Sequence, residues 1–199
     1  MQAVRQFNHS VQTAGTLLHK LNDPHFYWVT RPLLAFLITR AIVFFAAYIA
    51  EIAIPGAVGD GLYHVNPSNM WLDVWARWDS GFYLRIAEEG YRFVIGQQSS
   101  VAFFPVYPLT MNLVAPFVGS NLAAGVLVSN VYLLCGLIFL YRLTDHIFKD
   151  SGTATRAVFY IAAFPTAFFF SAVYTESTFL LFSTATAYFA RKQQWAWAA

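Results

Sequence analysis

Charge is what this 199-residue chain has least of: Asp, Glu, Lys and Arg make up 11% of it, against about a quarter in an average soluble domain. Hydrophobic residues make up 58% and aromatics 19%. This balance, with a mean hydropathy of +0.49, excludes an ordinary soluble domain and implies an integral membrane protein. The net charge of +2 is small and the basic residues form no run, so nucleic acid is excluded as a partner. A single cysteine, Cys135, allows no disulfide within the chain. His9, His19, His25, His64 and His146 show neither HxxxH nor HExxH spacing, which leaves no histidine metal motif. GxGxxG, P-loop, CxxC and GxSxG patterns are missing, and with them the nucleotide-binding and serine-hydrolase readings. There is no internal repeat and no low-complexity tract. The N-terminus has neither the apolar core nor the cleavage site of a signal peptide.

What remains is an all-α pattern: a polytopic membrane helical bundle with a long outer loop carrying amphipathic interfacial helices. The whole chain, 1–199, reads as one membrane domain. Residues 1–30 are polar to mixed, with a short amphipathic segment over Val11 to Leu21, and form the cytoplasmic N-terminal segment. Pro32 opens the first transmembrane helix, 32–54, long enough for a hydrocarbon core near 30 Å. Arg31 and Arg40 near its start place the N-terminus inside by the positive-inside rule. Arg40 and Glu51 lie three turns apart on one face that must look into the bundle or into water, and they are too distant to pair. Residues 55–100 form the outer loop, punctuated by glycines. In 101–118, Pro105, Pro108 and Pro116 remove backbone donors, which favours an interfacial or broken helix. Further transmembrane helices fill 122–190: a span capped by Asn121 and running to about Leu143, a return from Ala157 to about Ser171 through Pro165, and Thr178 to Ala190. Arg142, Lys149, Arg156, Arg191 and Lys192 then lie inside, and Asp79 and Glu176 share the outer face.

Within the outer loop the segment WLDVWARWDSGFYLRIAEEGY, 71–91, is the most informative. Trp71, Trp75 and Trp78 fall at helical i, i+4, i+7 spacing and Phe82 continues them, one face fit for a membrane interface. Asp79 follows the last indole. A carboxylate among aromatics at that boundary is partly desolvated and can take a proton from an attacking hydroxyl. The same residue is also a favoured N-cap for a helix from Ser80 to Glu89 that Gly90 ends, and the two roles are compatible.

Three segments together, WARWDSGFYLRIAEEGY, AFFPVYPL and FPTAFFFSAVYTESTFLLF, carry a resemblance. They resemble the integral-membrane C-type glycosyltransferases related to the second mannosyltransferase of GPI-anchor assembly, over roughly residues 30–199. The pattern W-D-[GS]-x-x-Y-x-x-I-A-x-x-G-Y followed by F-F-P-x-Y-P is the specific part. Members of that family are usually longer, with further helices, so the resemblance implies an N-terminal fragment; the remainder is either a continuation of the same chain or a partner subunit. It implies a mannosyltransferase that moves a sugar from a polyprenyl- or dolichyl-phosphate donor to a lipid-linked or protein acceptor on the non-cytoplasmic face, with Asp79 as general base. It aligns Glu176 with an acidic position of the second outer loop and makes Glu176 the second catalytic candidate, while Tyr174, like Tyr83, is a candidate for binding the donor.

Arg77, Arg85 and Arg92 are the candidates for the leaving phosphate, or else snorkelling anchors to headgroups. Tyr83, Tyr91 and Tyr107 either stack on sugar and prenyl chain or form an interfacial belt. Asp79 and Glu176 can hold a divalent ion only if they converge. The family it resembles is thought to need none, so no metal and no cofactor is expected. The partners implied are the lipid-phosphate sugar donor, the acceptor and membrane lipids. The location implied is multi-pass, in a bacterial inner or plasma membrane or in the endoplasmic reticulum of a eukaryote. The competing reading from another class is a non-catalytic lipid-binding or assembly subunit of a sugar-lipid pathway. A small transporter ranks last, with only Arg40 and Pro165 to suggest it.

Overall fold

A computed structural model describes residues 23–54, 66, 69–96 and 98–199. The expectations for 1–22 and for the glycine-punctuated stretch 55–65 lie outside the described residues. Every regular element among the described residues is helical. In order these are α1 (Tyr27–Ala53), α2 (Met70–Asp73), α3 (Ser80–Glu89), α4 (Val106–Val118), α5 (Asn121–Phe148), α6 (Ser151–Ala163), α7 (Glu176–Arg191) and α8 (Trp195–Ala198). Short 3-10 turns stand at Pro24–Phe26, Ser100–Ala102 and Ala167–Phe170.

Two of the helices are long and apolar enough to cross a membrane, Pro24–Ala53 and Asn121–Phe148. α1 leaves Leu34, Leu37, Ile42, Phe45, Ile49 and Ile52 exposed and buries only Pro32, Ala35, Thr39 and Arg40. It starts at Tyr27, not at Pro32. The Asp23 carboxylate accepts from the His25 N–H and opens a 3-10 turn that runs straight into the helix, so Pro32 sits inside it. α5 is capped by Ser120 instead of Asn121: the Ser120 hydroxyl accepts the Ala123 N–H at 3.1 Å. It runs five residues past Leu143 and ends where Lys149 adopts a left-handed φ of 55°.

The return strand of chain also differs from its expected bounds. Asp150 accepts the N–H groups of Gly152 and Thr153, so α6 begins at Ser151. It ends at Ala163, because Phe164 precedes Pro165 and is forced out of helical geometry to ψ 146°. Residues 164–175 are therefore an irregular strap with one 3-10 turn, and Glu176 is the first residue of α7. α4 has Pro105 just before it and Pro108 in its first turn, where the missing N–H costs no helix bond. Its 13 residues extend about 20 Å.

Packing divides into two apolar clusters strung along α5. Near its start Leu122, Ala124 and Val128 pack with Tyr83, Tyr107 and Met111. Further along, Leu133, Leu137 and Tyr141 pack with Ala35, Val158 and Leu180. Within each cluster α5 carries a glycine where a neighbour comes close. A Cβ on Gly125 would meet Val173 at 3.0 Å, and one on Gly136 would meet Leu180 and the Leu181 backbone nitrogen at 3.1 Å.

Candidate active site

The tryptophan stretch does not form the single amphipathic face that its spacing predicts. α2 stops at Asp73 and Trp78 takes a φ of 51°, so the three indoles are not in helical register. Trp71 and Trp78 are exposed, whereas Trp75 is buried, stacked 5.1 Å from the Phe168 ring and 4.2 Å from Phe44. Phe168 of the strap and Phe44 and Tyr48 of α1 form the pocket that holds Trp75, whose indole N–H donates to the Tyr48 hydroxyl at 3.2 Å. α3 then runs from Ser80 to Glu89, with Gly90 at φ 81°.

Asp79 occupies the N-cap position of α3 but does not cap it: its backbone is already helical and its carboxylate takes no helix N–H. The side chain is exposed. What holds Asp79 is its own backbone N–H, which donates to the Tyr174 hydroxyl at 3.2 Å, while that hydroxyl donates to the Arg77 carbonyl at 3.2 Å. One phenol from the strap thus fixes the turn that presents the carboxylate. The Val173 N–H also donates to the Trp75 carbonyl at 2.9 Å.

Glu176 stands two residues beyond Tyr174, half-buried. Burial holds its carboxyl above the usual range; its own backbone N–H works against this, and the negative charge of Asp79 adds to it. The two acids are therefore within electrostatic reach of each other. Glu176 lines a cavity of about 900 Å³ with Phe104, Tyr107, Phe170, Thr178 and Phe182 among its walls. The Glu176 Oε2 and the Thr178 hydroxyl, both on that wall, are buried without a hydrogen-bond partner among the described residues. An apolar groove with a few unsatisfied oxygens is the usual form of a small-molecule site.

The tyrosines are built into this frame. The Tyr83 hydroxyl shares a 3.1 Å hydrogen bond with Thr175, and its ring meets Tyr107 edge-on at 5.5 Å and Tyr174 at 6.2 Å. Burial raises the pKa of Tyr83 and of Tyr174, so both stay neutral donors. Tyr107 is fully buried. Its hydroxyl donates to the Gly125 carbonyl at 3.1 Å and lies 2.8 Å from Ser129, whose hydroxyl reaches the Ala172 carbonyl at 2.7 Å.

The three arginines separate. The Arg77 guanidinium is 9% exposed and engaged by Glu51 at 3.0 Å and by the buried Asp73 carboxylate. Asp73 also accepts the Asn66 N–H at 2.6 Å. Arg77 is thus occupied as a clamp between α1 and the loop, with its charge met by two acids. Arg92 is exposed and pairs with Glu89 at 3.3 Å. Arg85 is exposed on α3 and has no carboxylate partner among the described residues. The role of Asp73 was missed from sequence, although its i, i+4 spacing to Arg77 was the available signal. No group of three or more histidine, cysteine or acidic side chains comes together among the described residues.

Comparison with known proteins adds a family. GPI mannosyltransferase 2 of Drosophila pseudoobscura pseudoobscura is 31% identical over 112 residues, covering 51% of this chain and 24% of that protein. GPI mannosyltransferase 2 of Drosophila melanogaster is 29% identical over 112 residues, with the same two shares. The match to these curated relatives thus spans about a quarter of their length. No solved structure matches. The family description that fits residues 63–198 reads Mannosyltransferase (PIG-V). That match takes in Asp79, Tyr174, Glu176 and the groove, and it places this chain in the PIG-V mannosyltransferase family.

Proposed function

We propose that the chain provides the outer-face site of a multi-pass membrane mannosyltransferase, in which Asp79 is the general base. A sugar carried on a polyprenyl or dolichyl phosphate enters with its lipid along the groove. Asp79 takes the proton of the acceptor hydroxyl as that oxygen attacks the anomeric carbon. The bond from this carbon to the phosphate oxygen breaks, and the polyprenyl phosphate leaves. The single observation that carries this reading is the Asp79 carboxylate, exposed and uncapped, fixed by Tyr174 next to the turn that brings Glu176 to an apolar groove. Arg85, two turns along the helix that Asp79 precedes, is the cation left to meet the leaving phosphate. Glu176 would hold sugar or acceptor hydroxyls.

The depth of the site supports this placement. The 28 residues of α5 extend about 42 Å, and about 20 residues suffice to cross a hydrocarbon core. Counted from the basic end at Phe148, that length ends near Ser129, the level at which Tyr107 and Ala172 meet it. The groove then opens at the outer boundary, where a lipid carrier's phosphate lies. α4 and the loop helices stand above it, and α6 and α7 are shorter companions packed against α5.

The test is transfer of radiolabelled mannose from a polyprenyl-phosphate donor by the purified protein. Asp79→Asn should lower the rate by about 10²–10⁴-fold, the usual contribution of a positioned base, with donor binding retained. An unchanged rate removes Asp79 from this role. Binding without turnover in the unaltered protein favours the lipid-binding subunit instead, a reading to which the apolar groove also lends itself.

A further inference from the structure

Arg40 is the charged group for which the proposed chemistry has no use. It lies in the middle of the first long apolar helix, 5% exposed, and forms no ion pair among the described residues. Its partners are neutral and all lie in α6 and the strap that follows it. Nη2 donates to the Ala162 carbonyl at 2.8 Å, and Nη1 donates to the Ala167 carbonyl at 2.8 Å and to the Ser171 hydroxyl at 2.9 Å. The Ser171 hydroxyl in turn donates to the Asn130 side chain of α5 at 2.9 Å.

These acceptors mark the place where Pro165 breaks the helix. A helix end leaves carbonyls without intrahelical partners, and irregular backbone at membrane depth is tolerated only where the protein itself supplies the missing donors. The guanidinium does this for both sides of the break, and the end of α6 is the negative end of its dipole, which favours a cation. The chain it grips leads directly to the site. Ser171 is followed by Ala172, held by Ser129, by Val173, held to the Trp75 carbonyl, by Tyr174, which fixes the backbone of Asp79, and by Glu176.

We propose that Arg40 is a positioning residue: it clamps the strap 164–175 from inside the fold, and so sets Tyr174 and Glu176 against Asp79 without touching either acid. The kinetic half of this inference rests on the mannosyltransfer reading above; the clamp itself does not.

The experiment compares the unaltered protein, Arg40→Met and Arg40→Lys in lipid nanodiscs, by backbone hydrogen exchange and by transfer kinetics. Arg40→Met should raise exchange across 164–175 by about tenfold or more, the loss expected from hydrogen bonds to a charged donor, with α5 and α7 unchanged. It should lower kcat by a similar factor with a smaller rise in KM for the donor, since only Phe170 and Thr175 of the groove wall belong to the strap. Arg40→Lys keeps the charge but not the fork, and should fall between the two. Unchanged exchange in the strap overturns the clamp, and so does loosening spread evenly over α5 and α7. Should Arg40→Met not accumulate, Arg40→Lys decides by the same criteria. Exchange is read whether or not mannose is transferred. Failure of the functional reading shows separately, as no turnover in the unaltered protein or as retained turnover in Asp79→Asn.

Discussion

Along α5 and α7 the contacts are apolar and close: Gly136 lets Leu180 and the Leu181 backbone approach, and Leu133 and Leu137 are fully buried. Around Asp79 the chain is held differently. α2 has four residues, the segment to α3 is a turn, and what fixes it is the Arg77 ion cluster, the Tyr174 hydroxyl and the Val173 N–H. The first region is secured by shape, which is tolerant of small shifts in angle; the second is secured by directional bonds, which are not. A site that must present one carboxylate to a lipid phosphate needs the second kind of support.

Cutting the polar support is the strongest way to separate the two regions. Arg77→Met removes the guanidinium from the buried Asp73 carboxylate, a change that costs about 3 kcal/mol in comparable buried pairs. Thermal unfolding should show that loss, and hydrogen exchange should place it in 69–90 and not along the α5–α7 seam. A uniform loss throughout would mean that the two regions are one cooperative unit. The apolar seam should respond less. Gly136→Ala gains about 1 kcal/mol of helix propensity but forces a methyl toward the Leu181 backbone, an overpacking that costs about 1–3 kcal/mol. The net expectation is a loss of about 1 kcal/mol, a fall in Tm of about 2–4 °C. Gly125→Ala should lose less, since the atoms nearest its added methyl are side-chain atoms of Val173 and Met111 and not backbone.

The same division decides what could be read from the sequence. The apolar helices were legible because a long apolar run carries its own signal: the end of α1 and the start of α5 were found to within a residue, while the start of α1 lies five residues earlier, behind the turn that Asp23 opens, and α5 runs five residues further, to the left-handed Lys149. Ser80 to Glu89 was legible from its flanking Asp and Gly. The indole pattern misled because periodicity reports only a possible helix, and Trp75 is claimed by Phe168, nearly a hundred residues away in the chain. Arg77 misled for a related reason: a cation near a candidate base looks like a phosphate ligand until Glu51 is brought to it from another helix. That Arg40 looks into the bundle or into water was legible; that it closes the break at Pro165 was not, because its three acceptors are two backbone carbonyls and a serine, which carry no sequence signature.

The finest comparison is between the two acids themselves, Asp79 exposed and Glu176 half-buried. Burial, and secondarily the charge of Asp79, hold the Glu176 carboxyl above its ordinary value of 4.5. An acid whose pKa is higher folded than unfolded binds more protons in the folded state between the two values, so stability falls as pH rises through that window. Glu176→Gln removes the titration and should make Tm flatter from just below pH 4.5 upward than in the unaltered protein, and higher at neutral pH. Asp79→Asn should narrow the same window from its upper end, because it removes one of the charges that raises Glu176 in the folded state. If the Tm profile of Glu176→Gln superimposes on that of the unaltered protein, the half-buried carboxyl does not titrate against its neighbour, and the electrostatic coupling of the two acids is lost as an argument for a shared site.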